Sequence, residues 1–454
     1  MGVMPINRLL INIAFPMILS MIVQAFYNIV DSIFVARIVD EGAVTSAGTA
    51  ALVAVGLAFP FQTLLIAFGA GTGVGLNALL SRALGEKEFD KVNKTAENGI
   101  FCFGVCFLIF FLAGIFLPEF LIRSQGGQGL AFTYGTQYLR IVYMCSIGLF
   151  TQFCFERLMQ STGLTIYSMI TQMSGAIINI ILDPILIFGL FGFPELKVAG
   201  AAIATVTGQM IAALVAIYLN KKKNHEISIN FKGFRPDKEI IKRIYAVGFP
   251  SIIMQSIGSV MTYSMNRILV GLNEASVAVF TVYFKLQSIF FMPVFGLNNG
   301  MIPILAYNYG AKKRKRMTEV IKLSMLYALG FLTFGFLLFE IFPKQLLMIF
   351  DTKDPSLITY GVPALRTIAL SFLAAWFCII AGSVFQALGN GIYSLIVSIA
   401  RQLVVLIPVA YILARIGGLD LIWYSFPIAE IMSLAFSLFF LIRINRDIIS
   451  KVPE

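Results

Sequence analysis

The stretch QSTGLTIYS at residues 160–168 returns as QALGNGIYS at residues 386–394, so that Gln160, Gly163, Tyr167 and Ser168 are matched by Gln386, Gly389, Tyr393 and Ser394. With Ile166 and Ile392 these make five identities in nine positions at one constant offset, and they mark an internal repeat, the signature of an architecture made from two copies of one unit. Other landmarks recur in the same order. Phe15-Pro16 and Phe249-Pro250 stand near the start of the first long apolar run of each half, and the Gly-bearing charged turns SRALGEKEFDKV and AYNYGAKKRKRMTEV follow the second. The longest polar interruption, residues 221–239, carries a basic run with Asn224, Gly233 and Pro236 and divides the chain almost equally. The sequence thus reads as an N-terminal lobe over 1–220, a linker over 221–239 and a C-terminal lobe over 240–454.

What each half is made of follows from composition. With 58% hydrophobic and 13% charged residues and a mean hydropathy of +0.87, the 454-residue chain has too little polar surface to coat a soluble globule. Lipid is then its main solvent. A bilayer core about 30 Å thick needs roughly 20 apolar residues per helix at about 1.5 Å each. Twelve such runs occur, six on either side of the linker. The first greatly exceeds the apolar core of a signal peptide and is read as a retained helix. Six crossings per half give both halves the same orientation. The expected fold is an all-α integral membrane protein of twelve transmembrane helices, in two six-helix bundles related by a pseudo-two-fold axis along the membrane normal, with a cleft between them.

The net charge of +11 is concentrated in a few segments: Arg82, Lys87, Lys91 and Lys94; the linker and its flanks; Lys312 to Arg316; and Arg443, Arg446 and Lys451. All fall on one side of the membrane, while the opposite loops carry Asp40, Glu41, Glu195, Asp351, Asp354 and Asp420. The positive-inside rule therefore places both termini in the cytoplasm and makes the basic residues topological, with no nucleic acid as partner. Five cysteines lie inside predicted helices and the single histidine, His225, in the linker, which indicates neither a disulfide framework nor a clustered metal site. The glycines of GAGTGVGLN follow no strand and lack the lysine of a phosphate loop, and are read as points of close helix approach. With no intramembrane histidine and no hydrolase motif, an enzyme is not expected.

In hydrocarbon the informative residues are the ionisable ones, because a carboxylate at mid-membrane costs about 2.5–3.5 kcal/mol. Gln24, Tyr27, Asn28 and Asp31 recur at helical spacing as one polar stripe on the first helix, and Gln172, Asn179 and Asp183 do the same on the fifth. Asp31 and Asp183 each lie about six residues, roughly 9 Å, before the outer end of their helix, and Thr205 with Gln209 falls at comparable depth on the sixth. Such a cluster suits a proton or, through the oxygens of Asp31, Asn179, Asp183 and Thr205, a Na⁺ ion. The second half lacks it: Gln255, Ser259, Thr262 and Asn266 form a neutral stripe, and Lys285, Arg401 and Glu430, its main charged residues within helices, are open to internal pairing or to a site role. Pro16, on the helix of Asp31, is the hinge candidate.

YNIVDSIFVARI, GAGTGVGLNALLSRALGEKE, NIILDPILIFG with VAGAAIAT after it, and GLNNGMIPILAYNYGAKK together resemble the multidrug and toxic compound extrusion (MATE) transporters, most closely their prokaryotic DinF-like branch. The likeness spans nearly the whole chain. It implies two six-helix lobes around a cleft and export of bulky, often cationic or amphipathic small molecules in exchange for H⁺ or Na⁺, with no other cofactor. It also implies a monomer surrounded by the lipids of a prokaryotic cytoplasmic membrane. The family's acidic position on the first helix falls on Asp31, its pair on the fifth on Asn179 and Asp183, and its threonine on the sixth on Thr205. The acidic residues that some branches carry in the seventh and tenth helices have no counterpart in 254–268 or 370–384. A lipid-linked precursor flippase of related architecture is the alternative, and it would need a cleft rich in Arg or Lys.

Overall fold

The structure, a computed structural model, describes residues 2–36, 47–125, 128–272, 274–348 and 355–453. Among these every regular element is a helix. In the first half they are α1 (Ile6–Ala36), α2 (Ala47–Glu86), α3 (Phe89–Phe116), α4 (Pro118–Ser124), α5 (Gly129–Met144), α6 (Ile147–Ser161), α7 (Thr165–Phe188) and α8 (Lys197–Lys223). The second half holds α9 (Lys238–Val270), α10 (Glu274–Gly310), α11 (Arg314–Ile341), α12 (Pro343–Met348), α13 (Pro355–Ala369), α14 (Phe372–Ala387), α15 (Gly391–Ile399), α16 (Ile407–Ile422) and α17 (Ser425–Asp447). Among the described residues ten helical stretches are long and apolar enough to cross a membrane, and twelve spans result if the bent pairs α5–α6 (45°) and α13–α14 (50°) count as one each.

The two bends occupy the same place in the repeat, and neither is made by proline. At the first break the Ser146 hydroxyl donates to the Tyr143 carbonyl at 2.7 Å, and at the second the Ser371 N–H turns back to the Ile368 carbonyl at 2.9 Å. Local bonds of this kind compete with the helical ladder and let the axis turn. The matched nonapeptides fold alike in detail. Gly163 and Gly389 both take positive φ, +85° and +83°, and the Leu164 and Asn390 N–H groups reach the carbonyls of Met159 and Phe385 at 2.8 and 2.7 Å. The Ser168 and Ser394 hydroxyls donate to the carbonyls of Glu156 and Gly382 at 3.1 and 2.8 Å. The repeat read from sequence is a repeat of hydrogen bonds.

The chain forms two compact units. One comprises Leu19–Leu84 and Glu88–Gly248, the other Met1–Ile18, Gly85–Lys87 and Phe249–Glu454. Neither is a contiguous piece, because α1 and α9 each begin in one unit and end in the other. Inside the first unit α9 starts against α2: a Cβ on Gly75 would lie 2.0 Å from the Ile244 carbonyl oxygen, so only glycine admits this approach. Inside the second unit α1 starts against α10, where a Cβ on Gly300 would lie 2.8 Å from Cα of Ala14 and one on Gly296 2.6 Å from Cα of Ile18. Backbone contact through glycine is how helices associate where lipid removes the hydrophobic drive between them. Each crossover lies within three residues of Pro16 or Pro250.

The polar segment after α8 packs along α3 within the first unit. The backbone N–H groups of Ser228, Asn230 and Asp237 donate to the side chains of Asn93, Glu97 and Asn98 at 2.8, 3.0 and 2.8 Å, and the Phe234 ring stands 6.0 Å from that of Phe101. In the second unit the basic turn before α11 binds the N-terminal segment: Lys313 Nζ donates to the Gly2 carbonyl and Arg316 Nη2 to the Met4 carbonyl, both at 2.7 Å.

Candidate functional site

The α7–α8 pair gathers polar groups toward the end of α7 and the start of α8, because glycine brings the two helices together there. A Cβ on Gly208 would stand 2.7 Å from the Gly175 carbonyl oxygen, and one on Gly200 2.4 Å from that of Leu186. Backbones this close carry Thr205 of α8 onto Asn179 of α7. Asn179 and Thr205 are 3% and 4% exposed and Asp183 is fully buried. The amide orientation that satisfies every neighbour has Asn179 Nδ2 donating to Asp183 Oδ2 at 2.9 Å, while its oxygen accepts from the Thr205 hydroxyl at 3.2 Å and the Thr205 N–H at 2.9 Å. Pro184 follows at once, so the carbonyl one turn back loses its helical donor beside the carboxyl group.

Three of the residues singled out in the sequence thus meet. Gln209 lies one turn beyond Thr205, half-buried, with its side-chain oxygen shielded from solvent and unbonded. Gln24 is exposed on α1. The side chains of Tyr27, Asn28 and Asp31 lie outside the described residues, as do the acidic loop residues Asp40, Glu41, Asp351 and Asp354. Pro16 lies inside α1, buried.

Gln172 belongs to a different group, eleven residues or about 16 Å back along α7. Its Nε2 donates at 2.8 Å to Oε2 of Glu156, whose other oxygen accepts from Gln152 Nε2 at 2.8 Å. Glu156 is 2% exposed on α6. Next to it the Arg157 guanidinium donates through Nη1 to Gln160 at 2.7 Å, and its stem occupies the space where Gly73 has no side chain. The sequence reading passed over Glu156 and Arg157 because it ended the fourth apolar run at residue 157, where a charged pair reads as the edge of a span. The usable signal was their position four and three residues before Gln160, directly ahead of the repeat landmark.

A carboxylate buried with two amide donors is stable only while both are engaged. Glu156→Leu is therefore expected to leave the half-buried amides of Gln152 and Gln172 without this acceptor and to destabilise the first unit by about 2–4 kcal/mol, at about 1–2 kcal/mol for each, the lower part of the range for a buried group left unpaired. Glu156→Gln, which keeps an acceptor and the volume, is expected to cost less than half of that. Thermal unfolding of the two variants in detergent measures the difference.

No group of three or more His, Cys, Asp or Glu side chains suited to a transition metal exists among the described residues. What α7 and α8 present is a carboxyl group held by an amide and backed by a hydroxyl, an arrangement suited to taking up and releasing a small cation.

A family model described as MatE matches residues 16–185 and 250–412. The two matched segments begin at Pro16 and Pro250, the prolines of the repeated Phe-Pro pairs. Multidrug export protein MepA of Staphylococcus haemolyticus is 28% identical over 447 residues, covering 98% of this chain and 96% of its own. The protein of the same name from Staphylococcus saprophyticus is 27% identical over 421 residues, covering 93% and 90%. Among solved structures, an outward-facing multidrug resistance MATE family transporter of the MOP superfamily aligns with a TM-score of 0.90 at 25% identity over 97% of this chain and 96% of that one. A MOP superfamily transporter from Pyrococcus furiosus, described as having a binding pocket of reverse polarity, aligns with a TM-score of 0.90 at 25% identity over 98% and 97%.

Proposed function

Because the chain belongs to the MatE family, we propose that it is a multidrug efflux antiporter, expelling bulky cationic or amphipathic small molecules in exchange for a proton taken up at Asp183. The observation that carries this reading is the buried Asn179–Asp183–Thr205 group. Its amide points a hydrogen at the carboxyl group and its amide oxygen is already engaged by both donors of Thr205. That leaves carboxyl oxygens as the acceptors for an incoming cation, which suits a proton better than Na⁺, an ion that requires several oxygens at once. Asp31, on α1, is the second proposed carboxylate of the site. Pro16 is the proposed point at which α1 responds, close to where that helix passes from one unit to the other.

The two lobes, 1–220 and 240–454 with the starts of α1 and α9 exchanged between them, act in this scheme as the moving halves of an alternating-access carrier, monomeric, in a prokaryotic cytoplasmic membrane with both termini inside. The flippase alternative has less support, since the positive charge of Arg401 is partnered by Glu430. The deciding experiment uses purified protein in liposomes loaded with a cationic dye, under an imposed proton gradient or an imposed Na⁺ gradient. Dye movement under the proton gradient alone is the expected result. Movement under Na⁺ alone would transfer the coupling to that ion. Movement under neither, together with turnover of a lipid-linked sugar, would replace the reading with the flippase.

A further inference from the structure

Residues 221–243 hold eight Lys and Arg against three Asp and Glu, a net charge of +5. Lys221, Lys223, Lys232 and Arg235 are all exposed and, among the described residues, none has a carboxylate partner, while Lys222 reaches only the Tyr218 hydroxyl, at 2.9 Å. The end of α17, the counterpart of α8 in the repeat, keeps its charge to itself: Arg443 and Arg446 stand 3.6 and 3.0 Å from Asp447. The linker's charge has no such internal answer.

The segment that carries it is built into the first unit. Its backbone is fastened to α3 by the bonds from Ser228, Asn230 and Asp237, and the Asn224 amide ties its start to the Leu158 carbonyl at 3.3 Å. Within it Phe231 to Phe234 form a reverse turn, closed by the Phe234 N–H on the Phe231 carbonyl at 3.1 Å. Gly233 takes a φ of +76° at the third position, where a side chain would be strained. The turn sets the two rings edge to face at 5.4 Å, and Phe234 stands 6.0 Å from Phe101. On α3 polar Asn93, Lys94 and Glu97 give way at Phe101 to the exposed stripe Phe101, Val105, Leu108 and Leu112, one helical face turned to lipid chains. The turn therefore lies at the depth where acyl chains end and headgroups begin, and there Phe231 stays 48% exposed.

We propose that the turn Phe231–Arg235 is a headgroup site for an anionic phospholipid of the leaflet on the linker side. The Arg235 guanidinium takes the lipid phosphate through paired N–H donors, Lys232 adds a second positive charge, and the ring of Phe231 rests against the glycerol and the first carbons of the chains. The aromatic pair gives depth and the two cations give headgroup preference. Nothing in this assignment depends on the export reading.

The test titrates the purified full-length protein in detergent with dioleoylphosphatidylglycerol or dioleoylphosphatidylcholine, which share their chains and differ in net charge, and counts bound lipid by native mass spectrometry. Wild type is expected to prefer phosphatidylglycerol by about tenfold or more, since each cation near an anionic headgroup contributes roughly fivefold. Lys232→Gln combined with Arg235→Gln is expected to lose that preference, and Phe231→Ala to weaken both lipids alike. Arg443→Gln combined with Arg446→Gln removes the same charge from the internally paired end of α17 and is expected to bind as wild type does. Thermal unfolding in lipid-free detergent is expected to be unchanged in the linker variants, whose side chains are exposed. Equal binding of the two lipids by wild type overturns the proposal, as does a preference that survives in the Lys232/Arg235 variant. Equal loss in the α17 variant also overturns it, because net charge and not the turn would then set the preference.

Discussion

Asp183→Asn is expected to bring gradient-driven dye efflux down to that of protein-free liposomes, a fall of more than about tenfold, while folding stays near wild type. The substitution keeps the size of the side chain and its ability to accept from Asn179 Nδ2, so the contacts of α7 with α8 persist. What it removes is the capacity to carry negative charge in one state and a proton in the other, and an exchanger needs both states to make its cycle depend on a gradient. The measurement pairs initial efflux rates with thermal unfolding on the same preparation. A variant that still moves dye at the wild-type rate under the gradient would show that the coupling carboxylate lies elsewhere, with Asp31 and the buried Glu156 as the next residues to neutralise.

The second large effect is structural. Gly75→Leu is expected to abolish folded protein, because even one carbon at that position would lie 2.0 Å from the Ile244 carbonyl oxygen. The obstacle is backbone, which cannot rotate aside as a side chain does. Overpacking a core that can adjust costs about 1–3 kcal/mol, and a rigid helix-to-helix contact lies beyond that range. Gly300→Leu, in the equivalent place of the second unit against Ala14, is expected to fail in the same way. Gly104→Leu on α3, where nothing lies within 4 Å, is the control and is expected to fold like wild type. Yield of monodisperse protein after size-exclusion chromatography separates the three. Full recovery of the Gly75 variant would refute the proposed helix exchange at α2.

The fold was legible because lipid imposes apolar runs long enough to count and because the repeat preserved hydrogen-bonding glycines and serines, Gly163 with Gly389 and Ser168 with Ser394, whose positions are dictated by turn geometry. The 3.6-residue spacing of Asn179 and Asp183, with Thr205 at matching depth, made most of the α7–α8 cluster legible too. Gln172 shared that stripe and yet serves Glu156, because spacing on one helix fixes a face and not the neighbour that meets it. Glu156 and Arg157 went unread for the complementary reason. Charges near the end of an apolar run carry no sign of burial until the packing partner, here the bare surface at Gly73, is known. The exchange of helix starts between units was equally invisible, since hydropathy places α1 and α9 in the membrane without saying what each stretch touches.

That exchange sets the order in which the chain can be completed. The first eighteen residues leave the ribosome at the outset, but their glycine seats on α10, at Gly296 and Gly300, are made nearly 280 residues later. At about 5–20 residues per second the start of α1 spends roughly a quarter of a minute to a minute without its partner. The amino-terminal segment is therefore among the first parts synthesised and among the last to be buried, and a nascent chain halted before residue 296 contains no finished second unit for it to join.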